Sequence, residues 1–580
     1  MKYLGCFQVL GVLSCLVMAG CQTSPPGETP HPAKETVLVP IPPEPASPLE
    51  TQAQPVTIET SSPDVPVSLT RDGALLTALL HNRSLDVARL GPGIAATYVP
   101  EARAQFDPVI GATISYGRET DPVVGTSSSL STSTYSGSSG SSSLLSLYQG
   151  LNQALSRLNQ TVDYIDTAHD HQLDRHMTSG NLTLQQELPT GTQLFLTGAV
   201  SDTDTGAMAR DYRGGWAFGL RQPLLEGAGT GPNLAALRQA GAQAAKGGAL
   251  FRTEVLDVIR RTELAYWDLV LSSEVRKIRE FAVNLAEEQL TRTKAMLDVG
   301  KVIEGDVMAA RAERASRVAD LTDADAAIRV ANVALIHLLN PAADTPWTLS
   351  FSPADPPEVA PVSLDAESSV QMALHYRPEL DAAYSEEQRA RFAESQTRNA
   401  LLPNLDITGT YGRNSQGVSS SGILRHLDDD YYDEYNVGLE FEAPLMNRAE
   451  KVRHRRARMI TDQAKRTSAE IEYYVAATVR EAVIEVEKQW QRLESVGEAV
   501  RSRAEQFRVA KGRNTAGKTS ILDLHIVERD YIQVQVDQVT ARVRYIQALT
   551  NLYAAEGTLL KRRGITLDKE SSADDDKPTH

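Results

Sequence analysis

The sequence predicts a mainly α-helical chain built by internal duplication, in which each copy sets a pair of short β-strands before a very long helical hairpin. Three observations carry this prediction. Four blocks of residues occur twice in the same order. Alternating apolar and polar residues run through two of those blocks in each copy. Proline is absent from Asn233 through Asn340 and again from Leu445 through Lys577, which leaves helices free to run far beyond three or four turns.

The first 20 residues read as a signal peptide: Lys2 is a short positive start, the stretch from Tyr3 to Met18 is mostly apolar, and Ala19-Gly20 precede Cys21. The apolar run is too short for a good membrane span. "LVMAGC" resembles a bacterial lipobox, with Met18 where Leu is commoner. That resemblance implies export and a diacylglyceryl group on Cys21, and Gln22 implies sorting to the outer membrane. An ordinary signal peptide with an incidental Cys is the alternative.

Cys6 and Cys15 leave with the signal, so the mature chain keeps only Cys21 and can form no internal disulfide. A large core or an assembly must hold it, and about 560 residues are ample for that. The formal charge of −16 becomes −17 when Lys2 is removed, which argues against nucleic acid as a partner. Residues 21–68 hold 12 of the 29 prolines without periodicity and read as an extended tether.

Then the duplication begins. "ALLHNRSLDVA" (78–88) matches "MALHYRPELDAA" (372–383), and "FDPVIGATISYG" (106–117) matches "LLPNLDITGTYG" (401–412). "WAFGLRQPLL" (216–225) matches "VGLEFEAPLM" (437–446), and "VGKVIEGDV" (299–307) matches "AGKTSILDL" (516–524). The first repeat is placed at 69–345 and the second at 367–562. A linker at 346–366 joins them, and a polar tail follows at 563–580.

The strands alternate. Ile110, Ala112, Ile114 and Tyr116 oppose Gly111, Thr113 and Ser115, while Leu405, Ile407, Gly409 and Tyr411 oppose Asn404, Asp406, Thr408 and Thr410. Val437, Leu439 and Phe441 oppose Asn436, Gly438 and Glu440. A soluble sandwich and a membrane barrel share this pattern. An insertion at about 118–212 adds some 74 residues to the first copy. It carries a Ser-rich run (127–143), a helical stripe (Leu147 to Ile165) and a hairpin signal turning at Pro189 to Thr192. The hairpin either adds strands to the sheet or stands beyond it. "DTAHDHQLDRH" (166–176) has no diagnostic metal-ligand spacing and reads as a polar loop.

The helical tracts reverse once each, at Gly300 and Gly517. Ile532, Val536, Val539, Val543 and Ile546 are spaced as a heptad seam. "GRNTAGKTS" (512–520) has the P-loop spacing, but what precedes Gly512 is a charged helical pattern rather than a buried strand, so no phosphate cradle forms. Gly517 instead permits the turn at a hairpin tip, with Lys518 and Thr519 expected to begin the returning helix. Arg448, Lys451, Arg453, Arg455, Arg456 and Arg458 form a basic run that either meets lipid headgroups or the tunnel, or is a solvated face. No G-x-S-x-G, H-E-x-x-H or C-x-x-C occurs, and no catalysis is expected.

In order and duplication, "NR" then "LD" at Asn82 to Asp86, "RPELD" at Arg377 to Asp381, "RQPLL", "EAPLM" and the "VGK" and "AGK" tips resemble the landmarks of TolC-like outer-membrane efflux proteins over roughly residues 70–560. The resemblance implies a homotrimer sharing one membrane β-barrel above a periplasmic α-helical tunnel. It serves efflux or type I secretion with a periplasmic adaptor and an inner-membrane transporter. By position, Val299, Gly300, Lys301, Ala516, Gly517 and Lys518 would meet the adaptor, and Asp306 and Asp523 would form the periplasmic gate. The second acidic residue that some members carry is here Ile526. No cofactor is implied beyond the lipid on Cys21. The competing expectation is a lipid-anchored coiled-coil scaffold or adaptor without a pore.

Overall fold

A computed structural model describes residues 67–122, 172–204, 210–341, 347, 349–417, 431–516 and 518–565. The signal peptide, Cys21, the Pro-rich tether, the Ser-rich run with its helical stripe, Gly517 and the tail beyond Ile565 lie outside the described residues.

In chain order the elements are β1 (Val67–Leu69), α1 (Arg71–His81), α2 (Arg83–Arg103), β2 (Val109–Pro122), β3 (Gln172–Glu187), β4 (Gln193–Asp204), β5 (Asp211–Pro223), the short α3 (Thr230–Asn233), α4 (Ala235–Asp298), α5 (Glu304–Leu339), β6 (Phe351–Pro353), α6 (Ala366–Tyr376), α7 (Pro378–Asn399), β7 (Asn404–Gly417), β8 (Tyr432–Glu442), α8 (Arg448–Thr515), α9 (Ile521–Ala555) and the short α10 (Leu559–Arg562). The duplication is visible in helix lengths. α1 and α6 have 11 residues each, α2 and α7 have 21 and 22, α4 and α8 have 64 and 68, and α5 and α9 have 36 and 35. At ~1.5 Å per residue the longest run about 100 Å.

The first repeated block is a helix break in both copies, made by different chemistry. Asn82 caps α2 by accepting the Ser84 and Leu85 N–H groups at 2.9 and 3.2 Å, and its amide donates to the Leu338 carbonyl at 2.7 Å. In the second copy Pro378 opens α7 at a position where a missing N–H costs nothing.

The helices stand in one row whose membership changes along its length. Toward the strands the order is α2, α4, α7, α8, and toward the tips it is α5, α4, α9, α8. Lys246 meets Glu386 at 3.1 Å between α4 and α7, Arg276 meets Asp325 at 2.7 Å between α4 and α5, and Phe507 stacks on Tyr531 at 5.3 Å between α8 and α9. Because α9 is covered from both α4 and α8, its seam is unevenly buried: Ile532 and Val543 fully, Val536, Val539 and Ile546 by half.

The apolar core gathers midway along α4 and α8, where α1, α6 and the C-terminal turns close over them. Ile259, Leu269, Leu335, Leu380 and Leu552 are fully buried there. At about 1.5–3 kcal/mol for each large aliphatic side chain, this waist is the main source of stability. Two features clasp it. β1 pairs in parallel with β6, Val67 opposite Phe351. Glu263 of α4, wholly buried, accepts from Arg563 at 2.6 and 3.1 Å and from the Thr550 hydroxyl at 3.0 Å.

All six long strands form one antiparallel sheet in the order β2-β3-β4-β5-β7-β8. The inserted hairpin thus adds two strands to it. β3 and β4 turn where expected, the Leu188 N–H meeting the Thr192 carbonyl at 2.8 Å. One face carries Ile110, Ile114, Leu182, Leu196, Val200, Phe218, Ile407, Val437 and Leu439, all exposed. Among the described residues no second layer covers that face, so the alternation is not that of a sandwich core. No described helix is long and apolar enough to cross a membrane.

Candidate functional site

The two hairpin tips are built alike. Gly300 takes a positive φ of 71° after α4, its N–H reaching the Leu297 carbonyl and the Lys301 N–H the Met296 carbonyl, both at 2.9 Å. This paired closure suits a glycine, because a side chain is strained at that φ. In the second tip the Lys518 N–H reaches the Arg513 carbonyl at 2.9 Å, the matching bond, with Gly517 outside the described residues. Val299, Lys301, Ala516 and Lys518 are exposed, so the tips present an apolar residue, a turn and a lysine to whatever lies below. A Cβ at Gly300 would meet nothing within 4 Å. Gly300→Ala is therefore expected to cost only backbone strain, about 1–2 kcal/mol, read as faster amide exchange over residues 297–303. Unchanged exchange would mean that the turn relaxes into another conformation.

One expectation is corrected here. The returning helix of the second copy begins at Ile521, not at Lys518 and Thr519. Lys518 is used to close the preceding helix, and Ser520 supplies the cap, accepting the Leu522 and Asp523 N–H groups at 3.1 and 3.3 Å. Asp306 and Asp523 then fall at the same place, the third residue of their helices. Their duties differ. Ile303 has no side chain that can cap, so the half-buried Asp306 accepts the Ile303 N–H at 3.1 Å, whereas Asp523 is exposed beside a cap already provided by Ser520.

Above the tips lies a buried polar cluster that the sequence reading missed. Glu528 on α9 is 1% exposed; one oxygen accepts from Gln289 of α4 at 2.6 Å and the other has no partner. His525, one turn earlier, lies 4.0 Å from Glu528 with both ring nitrogens unpartnered. Glu313 and Arg317 of α5 and Lys511 of α8 face the pair. Burial pushes the Glu528 carboxyl up, against the Gln289 hydrogen bond and the Arg317 charge. Burial pushes the His525 imidazole down, against the Glu313 carboxylate. Running the α9 seam backward by four and three from Ile532 reaches His525, the one signal that could have found this cluster.

The two shifts act in opposite senses. The raised Glu528 contributes stability below the ordinary carboxylate value of 4.5, lost as pH rises through its folded value. The depressed His525 contributes stability above the ordinary 6.5, lost as pH falls through its folded value. Glu528→Gln is expected to stabilise the tip half at neutral pH by on the order of 1 kcal/mol, and His525→Gln to remove its loss in acid. Amide exchange of residues 285–293 against pH checks both; profiles identical to the parent's would place the titration elsewhere.

At the opposite end the Arg221 and Asp406 side chains pair, nearly inaccessible, where β5 of the first copy meets β7 of the second. The basic run opens α8, with Arg453 held by Glu450 and Lys451 donating to the Met446 carbonyl at 3.1 Å. The run 166–176, expected as a polar loop, is strand over its described part: β3 starts at Gln172 and holds His176, whose ring lies 2.8 Å from the Tyr116 hydroxyl, and residues 166–171 fall outside the described part. No cluster of three metal-ligating side chains occurs among the described residues. The sheet is apolar and exposed on one face and polar on the other, with the Arg221–Asp406 pair on the polar one.

Residues 369–558 match the family model for the outer membrane efflux protein. The outer membrane efflux protein BepC of Brucella suis biovar 1 (strain 1330) is 22% identical over 374 residues, 63% of this chain and 77% of that protein. The crystal structure of the Campylobacter jejuni CmeC outer membrane channel is similar with a TM-score of 0.57 at 15% identity, over 84% of this chain and 86% of that one. The Vibrio cholerae outer membrane protein VceC gives 0.56 at 16%, over 84% and 96%. The open state of the Neisseria gonorrhoeae MtrE channel gives 0.54 at 17%, over 86% and 91%.

Proposed function

We propose, on the premise that this chain belongs to the TolC-like outer membrane efflux proteins, that three copies close head to tail into one conduit. The chain is the outer-membrane channel component of a tripartite efflux system. The sheets share one barrel through the outer membrane, and the helices stand below it as a tunnel.

What supports the closed assembly is that sheet and helix row end on the same two flanks. β2 and α2, consecutive in the chain, make one flank, and β8 and α8 the other. Both helices bare apolar side chains: Val87 (72% exposed), Leu90 (64%) and Ile94 (61%) on α2, Val452 (55%) and Met459 (65%) on α8. An open sheet edge cannot face lipid, since its N–H and C=O groups would go unpaired, so each flank takes the opposite flank of the next copy. A scaffold without a pore leaves the bare apolar sheet face without an occupant.

The finer assignments rest on the same reading. A diacylglyceryl group on Cys21 anchors the N-terminus. A periplasmic adaptor docks on Val299, Gly300, Lys301, Ala516, Gly517 and Lys518 and links the conduit to an inner-membrane transporter. Asp306 and Asp523 gate the tips as rings of three carboxylates. Purified trimers in a planar bilayer are expected to give stable channel events; silence from folded trimers would restore the scaffold reading.

A further inference from the structure

We infer that the membrane barrel has eighteen strands, six from each of three chains, with the inserted β3–β4 hairpin as part of its wall. This rests on the proposed trimeric channel. Two strands from each repeat would give four a chain and twelve in all, so the insertion sets the width of the exit.

Four features of the sheet carry the inference. First, the hairpin interrupts the ladder. β2 pairs with β3 from Val109 opposite Gln185 to Pro122 opposite Gln172, and β4 pairs with β5 from Gln193 opposite Arg221 to Thr203 opposite Asp211. β2 and β5, which flank it, are not bonded to each other. A decoration above the barrel would leave those two strands joined.

Second, the hairpin spans the full height. Its turn lies at the helical end of the sheet, where the Gly229 N–H meets the Thr190 carbonyl at 3.1 Å and the Gln186 amide donates to the Phe106 carbonyl at 3.3 Å. Third, its two faces continue those of its neighbours. Leu182, Leu196 and Val200 extend the bare apolar face, and Asn181, Thr183, Thr197 and Ser201 extend the polar one. On that polar face the Phe195 ring of β4 covers Gly219 of β5 so closely that a Cβ there would lie 2.1 Å from it. β4 and β5 are thus fitted to each other.

Fourth, the strand number is even. Every pairing is antiparallel, so β2 and β8 run in opposite directions, and β2 of one copy can bond β8 of the next without breaking the alternation. Barrel width grows roughly in proportion to strand number, so eighteen strands make a wall about half again as wide as twelve, in the range that leaves an open aqueous passage.

The test places single cysteines in the full-length protein, Thr183→Cys and Ser201→Cys on the polar face, Leu182→Cys and Leu196→Cys on the apolar face. In proteoliposomes a charged, membrane-impermeant thiol reagent is expected to modify the first pair at least tenfold faster than the second, and to lower conductance through the first pair only. The unsubstituted protein sets the background. Equal modification of all four would put the hairpin in water outside the barrel and overturn the inference, whatever the conductance. Using two positions per face on two strands keeps the result readable if one variant misfolds. Absence of conductance in the parent protein would count against the channel reading itself, separately from the labelling pattern.

Discussion

On the gating role proposed for them, replacing Asp306 and Asp523 together with Ala is expected to raise single-channel conductance by roughly a factor of two or more, because a constriction formed there, in series with a wide tunnel, would dominate the total resistance. The effect should be unequal between the two positions. Asp523 is exposed and relieved of capping by Ser520, so its removal takes away charge and bulk with little cost to the fold. Asp306 also accepts the Ile303 N–H, so Asp306→Ala should loosen the start of α5 by about 0.5–1 kcal/mol as well as widening the passage. Asn at both positions separates the contributions, keeping an acceptor and most of the volume while removing charge. If Asn and Ala variants conduct alike, the carboxylate charge is what restricts flow, and the gain should shrink at high salt as screening weakens that charge. Unchanged conductance from folded double-Ala trimers would leave the two residues with only their helix-starting role.

Glu263→Ala is expected to be among the most damaging single changes to stability, at about 3–5 kcal/mol, because it removes the carboxylate that a buried guanidinium pairs with on α4. Arg563 is 6% exposed at its side chain and bonds both oxygens of Glu263, which is itself fully buried. The Thr550 hydroxyl loses its acceptor in the same step. The C-terminal turns after Gly557 are held to α4 by this pair and by Leu559, which packs with Val255, Leu256 and Ile259, so loss of the pair should make them sensitive to protease before the long helices unfold. Removing both charges with residues of similar size, Glu263→Leu with Arg563→Met, should recover most of the loss, since paired buried charges repay their desolvation only partly. A cost below about 1 kcal/mol for Glu263→Ala in denaturant would mean that Arg563 finds water or another partner.

What the sequence disclosed follows from what repeats in it. The long helices, their single reversals and the strand alternation are periodic features, and each fell within a few residues of its expected place. Pro189 to Thr192 marked a hairpin, yet nothing local told whether its strands join the sheet, because that depends on β3 returning to pair with β2 across the whole inserted segment, from Pro122 opposite Gln172 to Val109 opposite Gln185. The start of α9 was misplaced for a related reason: Lys518 and Thr519 look like helix formers after a glycine, and only the bond from Lys518 back to Arg513 shows that the earlier helix is still being closed. The buried His525 and Glu528 were hidden because polar residues on a helix usually face water. Gln289, which binds Glu528, lies 239 residues away. Glu263 and Arg563 are 300 apart and leave no trace in any local pattern.

The unequal strand content of two otherwise matched repeats shows how a wall of this kind can change size. Helix lengths are nearly the same in both copies, because both hairpins must reach the same depth to share one lower rim. The sheet is under a different constraint: its two edges must keep opposite directions if copies are to join in a ring. A single added strand would turn one edge around and leave the ring unable to close, whereas a hairpin restores the direction it reverses. Strands can therefore be gained only in pairs, and the sheet end can be resized in such steps while the helical hairpins keep the same lengths and the same tips.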